Sequence, residues 1–440
     1  MNTTAASHGD NRLKNALAHV TEQFQSANPV SFDRWQAAHD VMPGGNTRTV
    51  LHYDPFPVAM VKGEGAYLTD MDGHTYVDFL SEYSAGLYGH SNPVIKAALI
   101  EAIEGGTVLG APNRWEAGLA GLVCERFPSI DQVRFTNSGT EANLMALGAA
   151  RGFTKREKIM VFDGAYHGGV LYFAHGGTPV NVPFDVVFAP YNNTQGTMDV
   201  IEANKHELAA VLIEPMMGAG GCLMADPEFL GALRDATQKH GIILIFDEVM
   251  TSRSAPGGLQ QRLGVIPDLT TLGKYLGGGS SFGGFGGRHD IMSQFDPNSP
   301  NALPHAGTFN NNVMSMAAGS AGLGQIFTPE VADAFYTQGE AFKNQLNAVM
   351  QRRGANMQVT GVGTILGLHM RSDPIHIPYD EDARAHDLQT LVHLEMMMRG
   401  FTYAQRGYMS LSLPITTDDQ DNFAGALDDV ISVHSDLLNG

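Results

Sequence analysis

The chain has 440 residues, 43% hydrophobic and 17% charged, and carries 46 acidic against 27 basic side chains for a net charge of −19. That length allows two or more domains with a large core, and the charge argues against nucleic acid or an anionic membrane as partner. Two cysteines, Cys124 and Cys222, exclude a disulfide framework or a cysteine-based zinc site.

In chain order, residues 1–10 are expected to be disordered. The N-terminus has no basic-then-apolar leader, and no apolar run approaches about 18 residues. A cytoplasmic protein without a bound metal is therefore expected. From Leu13, apolar residues recur at Ala16, Leu17, Val20 and Phe24, a helical stripe. A loop with Pro43, Gly44 and Gly45 follows and carries Arg48. The stretch VKGEGAYLTDMDGHTYVDF predicts a short antiparallel meander turning at Asp72-Gly73. Residues 1–84 are assigned to an N-terminal helix and meander that belong to a small domain.

Residues 85–320 alternate between short apolar strands and helices. Strands are predicted at 133–136, 159–163, 186–190, 211–214, 242–247, 269–272 and 283–287, with a helix such as 228–240 between most of them. This pattern is that of an α/β domain with a mostly parallel, seven-stranded sheet covered on both faces. Sites in such sheets lie beyond the carboxyl ends of the strands. Residues 321–440 predict a smaller α+β domain: helix 337–352, strands within 359–370, helix 385–398, strand 409–413 and helix 417–438.

The segment from Ile242 to Gly279 is the most informative. One strand ends in Asp247, and the next runs through Gly273 into Lys274, 27 positions later. A carboxylate and an amine are thereby delivered to one edge of the sheet. Pyridoxal phosphate needs that pair: the amine to hold its aldehyde as a Schiff base, the carboxylate to keep its ring nitrogen protonated. Asp247 also has a plainer reading, a carboxylate capping a neighbouring loop, but burial without a partner would be costly in such apolar surroundings. Ser138, Gly139 and Thr140 stand where a strand turns into a helix, with free amides and a dipole suited to phosphate. An ordinary helix cap reads the same way. Tyr166, followed by His167, lies just past another strand end and is placed to stack on a flat ring; a simple packing role is the plainer alternative. Arg48 and Arg406 are the candidate forks for carboxylates, although most arginines with such spacing are surface residues.

The ordered set SGTEAN, YHGG, EPMMGAGG, DEVMTS, TTLGKYLGGG, FGGFGGR and AGTFNNN, spread over about residues 35–415, resembles the class III (ornithine/ω-type) aminotransferases. Those are fold type I enzymes dependent on pyridoxal 5'-phosphate. Within the family the stretches MPGGNTRTV, YGHS, DEVMTSRSAPGGL and HAGTFNNNVM are most similar to the aminotransferases acting on β-phenylalanine, a 3-amino-3-arylpropanoate. The resemblance implies that Lys274 is the Schiff-base lysine and Asp247 the pyridine-nitrogen partner. It implies that Ser138, Gly139 and Thr140 bind the phosphate, that Tyr166 covers one ring face and that Val249 presses on the other. Glu214 matches a position near the cofactor. Thr308 would reach the phosphate of the partner subunit, which implies a homodimer with shared active sites.

Departures from the pattern narrow the substrate. Met250 stands where enzymes for ornithine or simple amines usually have glutamine, and Ala219 where ornithine-type enzymes carry glutamate. Glutamate-1-semialdehyde aminomutases share Met250 and the MPGG loop, but typically have a small residue at the position of Arg406. Arg406 thus favours an enzyme that reads a second carboxylate. The expected reaction moves the amine of a β-amino acid to a keto acid such as 2-oxoglutarate or pyruvate. Arg48 is expected to read the β-amino acid and Arg406 the keto acid. An aminomutase or a broad ω-amine transaminase is the alternative. The loop 110–118 is assigned no role, though Arg114 and Trp115 are candidates to touch substrate.

Overall fold

The computed structural model describes residues 3–439. A seven-stranded sheet dominates it. Strands Gln132–Thr136, Gly283–Gly287, Leu269–Gly273, Ile243–Asp247, Leu208–Ile213, Lys158–Phe162 and Val186–Ala189 lie side by side in that order. Gly283–Gly287 runs antiparallel to both neighbours; every other pairing is parallel. All seven predicted strands are present, with ends shifted by a few residues at most.

The strands read as unbroken apolar runs because both faces are covered. One face packs on helix Gly139–Thr154, through residues such as Ala146, Ala150, Ile159 and Ile245. The other packs on helices Thr194–Asn204 and Pro227–His240, through Ile201, Phe229, Leu233 and Phe246. The antiparallel strand is nearly all glycine for a steric reason. A Cβ on Gly283 would sit 2.1 Å from the Ser138 carbonyl oxygen and 2.3 Å from Thr136 Oγ1, so only glycine lets this strand pass under the Ser138 turn.

The meander forms as predicted, as strands Met60–Glu64, Tyr67–Asp70 and Thr75–Asp78. A late strand, Phe401–Thr402, joins it in parallel, with Phe401 opposite Val77. A separate antiparallel sheet contains Gln358–Val362, Ile365–His369 and Tyr408–Ser410.

Four expectations need correction. The first helix runs Thr3–Ala27, so residues 3–10 are helical where disorder was expected; residues 1 and 2 lie outside the described residues. The helix predicted at 337–352 begins earlier, at Pro329, behind the Thr328 cap whose side chain accepts from Val331 N. The strand expected at 409–413 is only Tyr408–Ser410, because Leu411 N and Leu413 N turn to Thr364 O and Leu87 O outside the ladder. The last helix breaks at His434 into Thr417–Val433 and Ser435–Leu438.

Candidate active site

Parallel strands end at one edge of the sheet, and the predicted residues gather there. Asp247 is the last residue of its strand and lies level with Thr271 on the next one. Lys274 therefore follows three residues beyond that level. Ile213 pairs with Phe246 on the other side, which puts Glu214 level with Asp247.

Asp247 is buried, 6% exposed, and it is not orphaned. Its Oδ2 accepts from Asn143 Nδ2 and His167 Nδ1, each at 2.8 Å, and its Oδ1 accepts from Val249 N at 3.0 Å. The carboxylate cannot donate, so His167 carries its proton on Nδ1. Asn143 is itself fixed: it donates to His167 O at 3.0 Å and its Oδ1 accepts from Thr271 Oγ1 at 2.7 Å. Burial without a partner therefore does not by itself demand a cofactor, contrary to the argument drawn from the sequence. The loop-capping reading is also true, through Val249 N. What remains is acceptor capacity: an ionised carboxylate offers about four acceptor positions, and three bonds are made.

Lys274 donates from Nζ to Tyr83 O at 2.6 Å. Its backbone is left-handed, with φ +53°. Burial pushes its amine down to about 8; Asp247 and Glu214 pull it up, and Arg406 and Arg48 push it down. In cofactor-free protein the amine should be protonated below about pH 8 and nucleophilic above it. Acylation of Lys274 by a small amine-reactive acylating reagent, followed by peptide mass across pH, should rise with a midpoint near 8. A midpoint near 10.5, the ordinary lysine value, contradicts this environment.

Glu214 is raised to about 7, chiefly by burial. The His167 side chain lowers it, Asp247 raises it, and the N–H groups of Tyr166 and Gly218 lower it. Those two N–H groups donate to its carboxyl oxygens at 3.0 and 2.9 Å. Met250 packs beside it: a Cβ on Gly218 would lie 2.5 Å from Met250 Sδ and 3.6 Å from Glu214 Oε2. A thioether brings no N–H to that carboxyl, where glutamine would.

The Ser138 turn is a cap and a cradle together. Ser138 Oγ accepts from Glu141 N at 3.1 Å, and Glu141 Oε2 accepts from Asn137 N at 2.7 Å. Gly139 is pressed by Val249, whose Cγ atoms would lie 2.9 Å from an added Cβ. Thr140 Oγ1 accepts from Gly169 N at 3.3 Å, and a Cβ on Gly168 would strike that hydroxyl at 2.1 Å. Glycine at these positions keeps backbone N–H groups close enough to hold an oxyanion. Tyr166, 44% exposed, meets Tyr172 edge-on at 5.8 Å and keeps a ring face accessible at the strand ends. Thr308 is exposed, on a loop tied to the Ser138 turn by the hydrogen bond from Asn137 Nδ2 to Asn310 Oδ1 at 3.0 Å.

Arg48 and Arg406, distant in sequence, both lie by the Tyr83 ring. Their guanidinium carbons lie 5.6 and 5.7 Å from the centroid of Tyr83, the residue whose carbonyl holds Lys274. Tyr83 stacks on Tyr408 at 5.3 Å, and its hydroxyl donates to Val50 O at 2.7 Å. Arg48 pairs with Glu82. Arg114 pairs with Glu101 on the preceding helix and lies 4.1 Å over the Trp115 ring.

Tyr83, Glu82, Asn143 and Thr271 were not found from the sequence, and His167 was noted there only beside Tyr166. Tyr83 belongs to a run of four non-glycine residues in the left-handed region, Ser81 to Ser84, with φ of 45°, 48°, 53° and 75°. Such a conformation costs about 1–2 kcal/mol per residue, so strong anchors are needed. Asp78 Oδ1 accepts from Leu80 N and Ser81 N at 2.9 Å, and Ser81 O accepts from Gly86 N at 2.8 Å. The buried Arg253 donates to Ser84 O, Ser410 Oγ and Leu411 O.

The family model described as Aminotransferase class-III matches residues 50–429. The chain is 50% identical to the beta-phenylalanine transaminase of Variovorax paradoxus over 97% of its own length and 98% of that protein. The crystal structure of a beta-phenylalanine aminotransferase from that organism superposes with a TM-score of 0.95, at 50% identity, over 97% of this chain and 99% of that one. An omega-transaminase from Sphaerobacter thermophilus gives a TM-score of 0.87 at 37% identity, over 91% and 97%. A glutamate-1-semialdehyde 2,1-aminomutase from Desulforudis audaxviator is 38% identical over 77% of this chain and 82% of that protein.

Proposed function

Because the chain belongs to the class-III aminotransferases, we propose that it transfers the amino group of a β-amino acid, a 3-amino-3-arylpropanoate such as β-phenylalanine, to a keto acid such as 2-oxoglutarate or pyruvate. The cofactor is pyridoxal phosphate. The observation that carries the substrate reading is the pair of guanidinium groups over Tyr83, next to the lysine amine. An enzyme that handles carboxylates at two different distances from the reacting carbon can use such a pair; a carboxylate-free amine donor would leave one of them without a carboxylate to bind.

The residues present suit the cofactor. Asp247 keeps acceptor capacity for a ring N–H, and the glycines around Thr140 leave a cradle that any Cβ would fill. When bound, pyridoxal phosphate supplies an aldehyde for the amine and a ring that accepts electrons. The N–H groups at Ser138, Gly139 and Thr140 would hold its phosphate, Tyr166 and Val249 would cover its ring, and Asp247 would hold the proton on its nitrogen. Glu214 steadies the Tyr166 loop. Lys274 Nζ would hold the aldehyde carbon and, as a free amine, would be the group placed to take up a proton from the substrate. A lysine held near 8 is suited to that task, since its neutral form is accessible near physiological pH.

The protein works as a homodimer in the cytoplasm, in this reading, with Thr308 facing the phosphate of the second subunit. Support for the dimer comes from apolar side chains left in water: Val108 (82% exposed), Leu109, Ile103 and Phe309. Their segments are linked by the bond from Asn113 Nδ2 to Asn311 O at 2.8 Å. No helix among the described residues is long and apolar enough to cross a membrane.

Arg48→Ala tests the substrate reading. The β-amino acid half-reaction should lose about 10- to 150-fold in kcat/KM, the worth of a charge-assisted fork. The keto acid half-reaction should change far less. Equal losses in both directions overturn the division between Arg48 and Arg406.

A further inference from the structure

Arg48 is not free to meet a substrate. Its guanidinium is held by Glu82, and Glu82 sits in the middle of the left-handed run, one residue before the carbonyl that accepts Lys274 Nζ. The run fixes the backbone that carries that carboxylate, because Asp78 grips one end and Arg253 the other. Both partners remain accessible: 42% of the Arg48 side chain and 58% of the Glu82 side chain are exposed. Exposed pairs of this kind are weak and reversible. Arg406 differs, since no carboxylate partner for it is present among the described residues; it lies by the rings of Tyr83 and Tyr408 and hydrogen-bonds the Tyr83 side chain.

We propose that Glu82 is a specificity-determining residue: it is a resident carboxylate on Arg48, and the carboxylate of a β-amino acid must displace it. The proposal rests on the reading of Arg48 given above and deepens it. An arriving carboxylate exchanges one ion pair for another and gains only the difference. Ligands that fork well onto Arg48 prevail; those that reach it poorly lose to Glu82. Had Glu82 merely steadied Arg48, its removal would weaken binding, so the two roles differ in sign.

The probe is 3-phenylpropanoate, which has the ring and the carboxylate but no amine, titrated into cofactor-loaded enzyme. Glu82→Gln should lower its dissociation constant about two- to fivefold, the scale of an exposed ion pair. Arg48→Ala should raise it, and adding Glu82→Gln to Arg48→Ala should change nothing further, because the competitor then has nothing to occupy. Weaker or unchanged binding in Glu82→Gln, with Arg48→Ala still impaired, overturns the role of Glu82 and leaves that of Arg48 standing. An equal gain in the Arg48→Ala background also overturns it, since the effect would be one of general charge. No effect of Arg48→Ala removes the reading on which the proposal rests. Glu82→Asn serves as the second variant: asparagine accepts left-handed φ more readily than other side chains, so the comparison survives if Glu82→Gln fails to fold.

Discussion

Lys274→Ala should lower the rate of the β-amino acid half-reaction by at least about 10²–10⁴-fold, the usual contribution of a positioned acid–base group. The chain should still fold. Nζ makes a single described hydrogen bond, to Tyr83 O, and alanine can adopt the φ of +53° no worse than lysine does. The loss should be chemical rather than structural. Lys274→Arg separates the two: a guanidinium keeps the charge and can still reach the carbonyl, but it does not give up its proton near neutrality. It should be as inactive as alanine. A small primary amine in the buffer should partly restore Lys274→Ala by taking the proton in place of Nζ, and should do nothing for the wild type. Stopped-flow absorbance of the cofactor band follows both reactions. A Lys274→Ala rate within tenfold of wild type contradicts the assignment.

Asp247→Asn should have the second-largest effect. Asparagine keeps the shape and loses the charge. His167 Nδ1–H and Asn143 Nδ2 both donate to one carboxylate oxygen, and Val249 N donates to the other. An amide offers an oxygen to one side only, so one group of donors must face an N–H₂. Leaving a buried donor unsatisfied costs about 1–3 kcal/mol, and thermal unfolding should register that loss. The rate should fall further. Truncating one member of a buried, hydrogen-bonded charge pair costs about 2–5 kcal/mol, or roughly 30- to 5,000-fold. Single-turnover rates and retention of the cofactor through gel filtration measure it. A variant that loses stability but keeps its rate would make Asp247 structural only.

These residues could be read from the sequence because of how a buried parallel sheet is written. Its strands are short apolar runs, and the first polar residue after each run marks the functional edge. Asp247 and Glu214 obey that rule directly; Lys274 follows a strand broken by Thr270 and Thr271, and Ser138 comes after Thr136 and Asn137 at the start of a turn. The supports behind them do not. Asn143 lies within a helix and Thr271 within a strand, where each matches an ordinary pattern; only the folded chain joins them to Asp247. Glu82 and Tyr83 were hidden for a different reason. Left-handed turns are normally announced by glycine, and Ser81 to Ser84 contain none. Their conformation is imposed by Asp78 and Arg253, the latter about 170 residues away in the chain. The missed start at Pro329 had a local signal, the Thr-Pro pair of a helix cap, that a search for apolar periodicity passes over.

The account depends on one amine and one carboxylate at neighbouring strand ends holding opposite parts of the same cofactor molecule. Borohydride reduction of the purified, cofactor-loaded protein, followed by proteolysis and mass spectrometry, tests this most directly. The account predicts a pyridoxyl group on Lys274 in the wild type and none on that peptide in Lys274→Ala. A pyridoxyl group on another lysine, or on no lysine, would contradict it.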